Sequence, residues 1–381
     1  MTMNAVVLAH GNPYQKNPYL AKLSRVLAEA GVPHEFWVWS RDKAKIDEPR
    51  VRVLLDFGSW GGGFINVIGY FLWVVILLVR VFSSSRETVY FCSRFDSALP
   101  CAIVASFRRC NFVFLDRDTL SKSYSWPGVI RTLIESMEGF AARRALLHVV
   151  PGKSRVKNMA LAANLRIVPN TPHSDTIAAA RKISAGKRRS SASLKVLVSG
   201  LVSPERGAGM ILRAIELVDP AKFEFFCAGR LIGDDAHGIA ASLGSNYRGL
   251  LSNEQALALT IDSDLVLAFY NPRLEINRLA EPNKWFDCAA LGVPFVTNPG
   301  IETATPFGNA GGCFFCQYGN GAELATLLVR LYEDRKLLES ASAGLQGLKF
   351  EPWNLAMGAV IDSLKQKPPG RLNRPGPNCA G

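Results

Sequence analysis

Short apolar runs alternate along the chain with longer stretches in which apolar residues recur every three or four positions. "NAVVLAHGN" is a run closed by Gly and Asn, "PYLAKLSRVLAEAGV" has helical spacing and a closing Gly, and "HEFWVWS" is a second run. Such runs read as strands and the periodic stretch as an amphipathic helix, so the chain opens as strand, helix, strand. That order starts a parallel sheet with helices on its faces. It continues through "ETVYFCS", "ALPCAIVASFRR", "NFVFLDRD", a helix through "VIRTLIESMEGFAARRA", "LLHVVP" and "RIVPNTP". These predict one doubly wound α/β domain over residues 1–172.

Residues 173–192 are polar, basic and rich in Ser and Ala, and read as a linker with some helix. A second alternation then runs through "LKVLVSG", "GAGMILRAIELV", "FEFFCAG", "NYRGLLS", "NEQALALTIDS", "DLVLAFYN", "KWFDCAALG", "PFVTN" and "AELATLLVRLYED". It predicts a second doubly wound domain over 193–350. A helix over 351–366 is expected to return to the first domain, and the Pro/Gly-rich residues 367–381 to be a disordered tail.

One stretch breaks the pattern. No charge occurs between Asp56 and Arg80, in "FGSWGGGFINVIGYFLWVVILLV". Its length would allow a membrane crossing. A crossing would place strands of one sheet on opposite sides of a bilayer, which argues for two other readings. One is a helix lying in the membrane interface, with Tyr70 and Trp73 as anchors and Arg80 and Arg86 near headgroups. The other is burial against the sheet.

The chain has 381 residues, 48% hydrophobic and 20% charged, with a formal net charge of +12. That length suits two domains, and the excess charge points to an anionic partner. Nine of the basic residues fall in the linker and tail: Arg181, Lys182, Lys187, Arg188, Arg189, Lys365, Lys367, Arg371 and Arg374. No aromatics interleave them, which disfavours a nucleic-acid partner. The eight cysteines sit mostly in apolar runs and no cleavable leader is visible at the start, so a reducing, cytoplasmic setting is expected. Cys313 and Cys316 form a lone CxxC, read as structural because no second pair or His accompanies it.

Two doubly wound halves, the "GLVSPERG" turn that opens the second, and "PNKWFDCAALGVPFVTN" near its end resemble the GT-B glycosyltransferases, most nearly family 4 of the bacterial-polysaccharide type. The likeness extends to about Lys365. It implies two Rossmann-like domains facing across a cleft, the first for an acceptor and the second for a nucleotide-sugar donor. It also implies transfer to a glycan, lipid-linked on this reading, at the inner face of the cytoplasmic membrane. Retention of configuration, with the leaving diphosphate helping to take the acceptor proton and with no metal or other cofactor, is part of the same implication.

Site residues follow from the resemblance. Pro282 starts a helix whose free N–H groups favour phosphate, and Lys284 adds a charge there. Asn283 and Asp287 complete the donor side, with Asp287 where the family usually has a Glu for the ribose. Gly200 lets backbone approach the nucleotide, and Arg206 suits the diphosphate. Gly229, Arg230 and Gly249 are expected near the base. In the first domain Asp118 keeps an acid, Arg117 precedes it where a His is common, and His10 and Asp96 stand near the acceptor. Asp118, Arg206 and Lys284 are taken as the catalytic set.

Each has a plainer alternative: Lys284 as a solvated helix-start lysine, Asp287 complementing the helix dipole, Glu281 or Asp96 as a cap, Arg206 as a loop arginine, His10 as a turn residue. There are departures too. Leu201 stands where relatives carry Arg, and Leu279 stands where the first of two spaced acids is expected. These leave open a non-catalytic GT-B-like scaffolding subunit, or a nucleotide-sugar epimerase of the same shape.

Overall fold

In the computed structural model the described residues are 3–14, 17–41, 46–59, 64–124, 126–156, 163–184 and 192–366. The tail expected over 367–381 lies outside them, as do residues 185–191 of the expected linker. The chain divides into two compact units, residues 1–168 with 354–381, and residues 169–353.

The first unit runs β1 Ala5–His10, α1 Pro18–Glu29, β2 His34–Ser40, β3 Val51–Asp56, α2 Phe64–Ser83, β4 Val89–Cys92, α3 Phe95–Phe107, β5 Asn111–Leu115, α4 Leu120–Ser123, α5 Gly128–Arg144, β6 Leu147–Val150 and β7 Leu165–Ile167. All seven strands are parallel, in the order β3-β2-β1-β4-β5-β6-β7. β1, β4, β5 and β6 are buried throughout, as strands covered on both faces must be, which is why they read as unbroken apolar runs. Asn17 caps α1 from its side chain, Pro18 supplies the first turn, and Gly31 at φ +67° closes it. The chain builds outward from β1 to β3 and then returns to place β4 on the other side of β1. The sheet therefore opens between the carboxyl ends of β1 and β4, where ligands of such sheets gather.

The second unit runs α6 Ser174–Ile183, β8 Leu194–Val202, α7 Ala208–Leu217, β9 Phe223–Leu231, α8 Asp234–Leu243, α9 Asn253–Ile261, β10 Leu265–Leu267, α10 Glu275–Arg278, α11 Asn283–Leu291, β11 Phe295–Thr297, α12 Thr305–Asn309, β12 Cys313–Phe315, α13 Gly321–Glu333 and α14 Arg335–Gly347. Its parallel sheet has the order β12-β11-β10-β8-β9, so its opening falls between β8 and β10. Ile211, Leu324 and Leu328 cover one face, and Trp285, Phe295 and Phe307 lie in the core of the other. The last helix, α15 Trp353–Gln366, enters the first unit from Asn354 onward, where Lys365 Nζ donates to the carbonyl of Ala30.

Several elements depart from the sequence reading. β3 is an edge strand whose residues are half-buried or exposed, so it lacks the apolar run that marks the others. "NYRGLLS" forms no strand; Tyr247 makes only an isolated bridge to Cys227. β8 does not stop at the Gly200 that closes the apolar run "LKVLVSG" but continues to Val202 beside Leu231. The helix expected within the linker is α6, whose buried Ala180 packs on Leu257 and Ala258 of α9. Cys313 and Cys316 are buried free thiols, both pushed up to about 12 by burial.

α2 is long and apolar enough to cross a membrane, with a mean hydropathy of 2.3. One face is built into the core through Trp73, Leu77 and Val81, and Gly69 sits so close to Trp39 that a Cβ there would meet the indole at 2.4 Å. Trp73, expected as a headgroup anchor, is fully buried and donates to Ser97 Oγ at 3.3 Å. Tyr70, the other expected anchor, packs edge-on against Trp39. The opposite face presents Phe64, Val67, Phe71 and Val79 to the outside.

Candidate functional site

The second unit gathers most of the expected donor residues at its sheet opening. β8 leads into one 3-10 turn, Pro204–Arg206, and Gly207 at φ +77° lets α7 begin at once. Gly200 pairs with Gly229 across β8 and β9, and a Cβ on Gly229 would fall 1.9 Å from the Gly200 carbonyl oxygen. Only glycine fits there. The Gly229 N–H donates to the Gly249 carbonyl at 2.8 Å, and Tyr247 Oη donates to the Gly229 carbonyl at 3.0 Å. Gly200, Gly229 and Gly249 thus form one bare backbone ledge. Arg230 is exposed beside Leu201 at its rim.

Lys284 reaches this ledge from α11. Its Cε lies 3.1 Å from the point where a Cβ on Gly200 would stand. Pro282 is the N-cap residue rather than the first helical one, Asn283 is exposed at the helix start, and Gly292 at φ +66° closes α11. Trp285 and Phe286 anchor the helix in the core. Arg206 arrives from the other side. Its guanidinium lies 4.1 Å over the Tyr270 ring, and Nη1 donates to Asn277 Oδ1 at 3.2 Å. Asn277 is itself held by donating to the Asn271 carbonyl at 3.1 Å.

The electrostatics follow. Burial and then the Arg206 charge lower Lys284 to about 8, while Asp287, one turn along α11, acts in the opposite sense. Two cations therefore stand close enough to repel across a glycine ledge at a helix start. Two cations beside a helix start and a bare backbone ledge have the charge and geometry to hold a diphosphate. Tyr270 and Asn277 were not foreseen; "FYNPRLEIN" carries no periodic signal, and their roles come from holding Arg206. Leu279 is buried at the end of α10, so no acid occupies that place.

The first unit treats its expected residues differently. His10 ends β1 and Asp96 sits in the first turn of α3, with His10 Nε2 and Asp96 Oδ2 2.7 Å apart. Arg41 Nη2 lies 3.1 Å from His10 Nδ1. Arginine can only donate, so Nδ1 accepts and the single ring proton sits on Nε2, facing Asp96. Burial lowers the His10 pKa in the same sense, against the pull of Asp96. Burial would raise Asp96, but His10, Arg94 and Arg41 outweigh it and hold the carboxyl below its ordinary value. Arg41 itself stacks 3.7 Å over Trp39. His10 is buried at the end of β1 between Asp96 on its Nε2 side and Arg41 on its Nδ1 side.

Asp118 is exposed, and Arg117 is half-buried with its guanidinium 4.3 Å over Tyr19. Asp116, unnoticed in "LDRD", is the buried acid of that stretch, 3.3 Å from His148 Nε2 and accepting from Thr119. Arg94 and Arg155 also lie just past strand ends, two residues after β4 and five after β6.

No protein-family profile and no curated protein sequence matches the chain. Solved structures do. A sucrose-phosphate synthase from Thermosynechococcus elongatus superposes with a TM-score of 0.68 at 14% identity, covering 95% of this chain and 99% of that one. HepE from Anabaena, in complex with UDP and glucose, gives 0.61 at 14% identity over 96% and 100%. A putative UDP-N-acetylglucosamine 2-epimerase from Listeria monocytogenes gives 0.62 at 11% identity over 96% and 97%. The chain has two parallel-sheet α/β domains matching those of GT-B enzymes.

Proposed function

We propose that the protein is a glycosyltransferase that takes a sugar from a nucleotide-sugar donor held by its second unit. The observation that carries this is the convergence of Lys284 and Arg206 on the Gly200–Gly229 ledge. UDP is the proposed nucleotide, supported by the structural neighbour bound to UDP and glucose. In the reaction the C1–O bond to the diphosphate breaks and the acceptor oxygen bonds to C1. Lys284, Arg206 and the start of α11 stabilise the charge that develops on the diphosphate. With that charge supplied by the chain itself, the reaction is proposed to need no metal. The proposed course is retaining, with the diphosphate itself drawing the acceptor proton.

The acceptor is proposed to be a glycan, lipid-linked and presented at the inner face of a bacterial cytoplasmic membrane for polysaccharide synthesis. The support is α2: its outward Phe64, Val67, Phe71 and Val79 form an apolar face, with Arg80 in its last turn and Arg108 donating to the Ser84 carbonyl just beyond. Apolar insertion flanked by arginines suits an anionic bilayer surface. UDP release from UDP-sugars, measured with and without lipid-linked acceptors, tests the function. Acceptor-dependent release supports transfer. The likeness to the putative epimerase keeps a second reading: a changed sugar on UDP with no acceptor present would favour it.

A further inference from the structure

We propose that the carboxyl edge of the first unit's sheet binds a phosphoryl group through Arg94, Arg117 and Arg155. In the transferase reading, on which this part rests, the group belongs to the acceptor.

The three arginines come from three neighbouring parallel strands. Arg94 follows β4, Arg117 follows β5 and Arg155 follows β6. Strands about 4.8 Å apart place their roots within roughly 10 Å of one another. The side chains are held from behind. Arg117 lies over the Tyr19 ring, and Arg155 Nη1 donates to the Arg117 carbonyl. Arg155 is only 7% exposed, yet its Nε has no hydrogen-bond partner among the described residues, and neither has Arg117 Nε. Buried guanidinium N–H groups are rarely left so, because the lost hydration is not repaid.

Nearby acids balance them only in part: Arg94 is raised and Arg117 lowered. Asp96 is committed to His10, and Asp116 to His148 and Thr119. Asp96 also acts on Arg94, more strongly than exposed Asp118 does, and Asp118 acts on both Arg94 and Arg117. Burial, with the charges of Arg94 and Arg155 adding to it, pushes the Arg117 guanidinium down. Three cations against Asp96 and exposed Asp118 leave an excess of positive charge that suits a multi-oxygen dianion better than a single carboxylate. Planar guanidinium forks also match phosphoryl oxygens in pairs.

The probes are inorganic phosphate, glucose 6-phosphate and geranyl diphosphate, titrated calorimetrically into the full chain with saturating UDP present, and glucose serves as the uncharged control. At least one phosphorylated probe is expected to bind while glucose does not. Arg94→Gln and Arg117→Gln are each expected to weaken it at least about tenfold, the loss of one charge-assisted bond, with UDP binding unchanged. Arg155→Lys, which keeps the charge, covers the case in which a glutamine there unfolds the domain. Binding of geranyl diphosphate alone identifies a lipid diphosphate, and binding of glucose 6-phosphate a soluble sugar phosphate. The proposal is overturned if the phosphorylated probes bind no better than glucose, or if Arg206→Ala rather than Arg117→Gln removes their binding. Loss of UDP binding with phosphoryl binding intact would instead sink the donor reading and leave this site standing.

Discussion

Lys284 lies across Gly200, its Cε 3.1 Å from where a side chain on that glycine would begin. The contact joins α11 to the end of β8 and puts the lysine charge over bare backbone. Gly200 also stands at φ +82°, a conformation that other residues adopt at a cost. Gly200→Ala is therefore expected to displace Lys284, to weaken UDP binding at least about tenfold, and to cost roughly 1 kcal/mol of stability. Calorimetry and thermal melting read the two effects separately.

Lys284 carries a stability penalty that a ligand relieves. Its folded pKa of about 8 is below the ordinary 10.5, so the unfolded chain holds more protons between those values. Stability of the ligand-free protein should thus rise with pH across that window. Lys284→Met is expected to stabilise the free protein at pH 7 by roughly 1 kcal/mol, and to abolish UDP binding. In the wild type, UDP affinity should decline as pH climbs above about 8, where binding must take up a proton. A melting series with and without UDP checks both signs.

The His10–Asp96 pair is expected to act on folding. Removing one partner of a buried pair costs about 3–5 kcal/mol, and Asp96→Asn should lose that order of stability. Asp96 has a depressed folded pKa, so its contribution is present above the ordinary 3.8 and is lost as pH falls through the folded value. The variant should lack that acid limb in a pH–melting profile. Equal acid sensitivity in both proteins would contradict the assignment.

α2 offers a test in which two faces give opposite results. Val67→Ser with Phe71→Ser, both outward, should reduce sedimentation with phosphatidylglycerol vesicles several-fold and leave melting unchanged. Trp73→Ala, on the inward face, should instead cost about 3–5 kcal/mol of stability.

The fold was legible where strands are buried on both faces, because β1, β4 and β5 then show as apolar runs between helical periods. β3 escaped because an edge strand need not be apolar, and α6 was legible only as some helix in a linker because a basic, Ser/Ala-rich stretch does not mark its bounds. In the candidate site, Gly200, Gly229 and Lys284 could be found from glycines that close apolar runs and a lysine at a helix start. Asn277 and Tyr270 could not, since their part is to hold Arg206 through a contact between distant residues. The surroundings of His10 were likewise illegible: its two neighbours, Arg41 and Asp96, come from different strand ends and leave no local mark.

The most direct test is calorimetric titration of UDP, GDP, ADP and dTDP into the wild-type chain, Lys284→Ala and Arg206→Ala. The account predicts that UDP binds the wild type, and that each substitution weakens it at least about tenfold, as loss of a charged hydrogen bond does. UDP binding that both variants retain, or no binding of any nucleotide to the wild type, would contradict it.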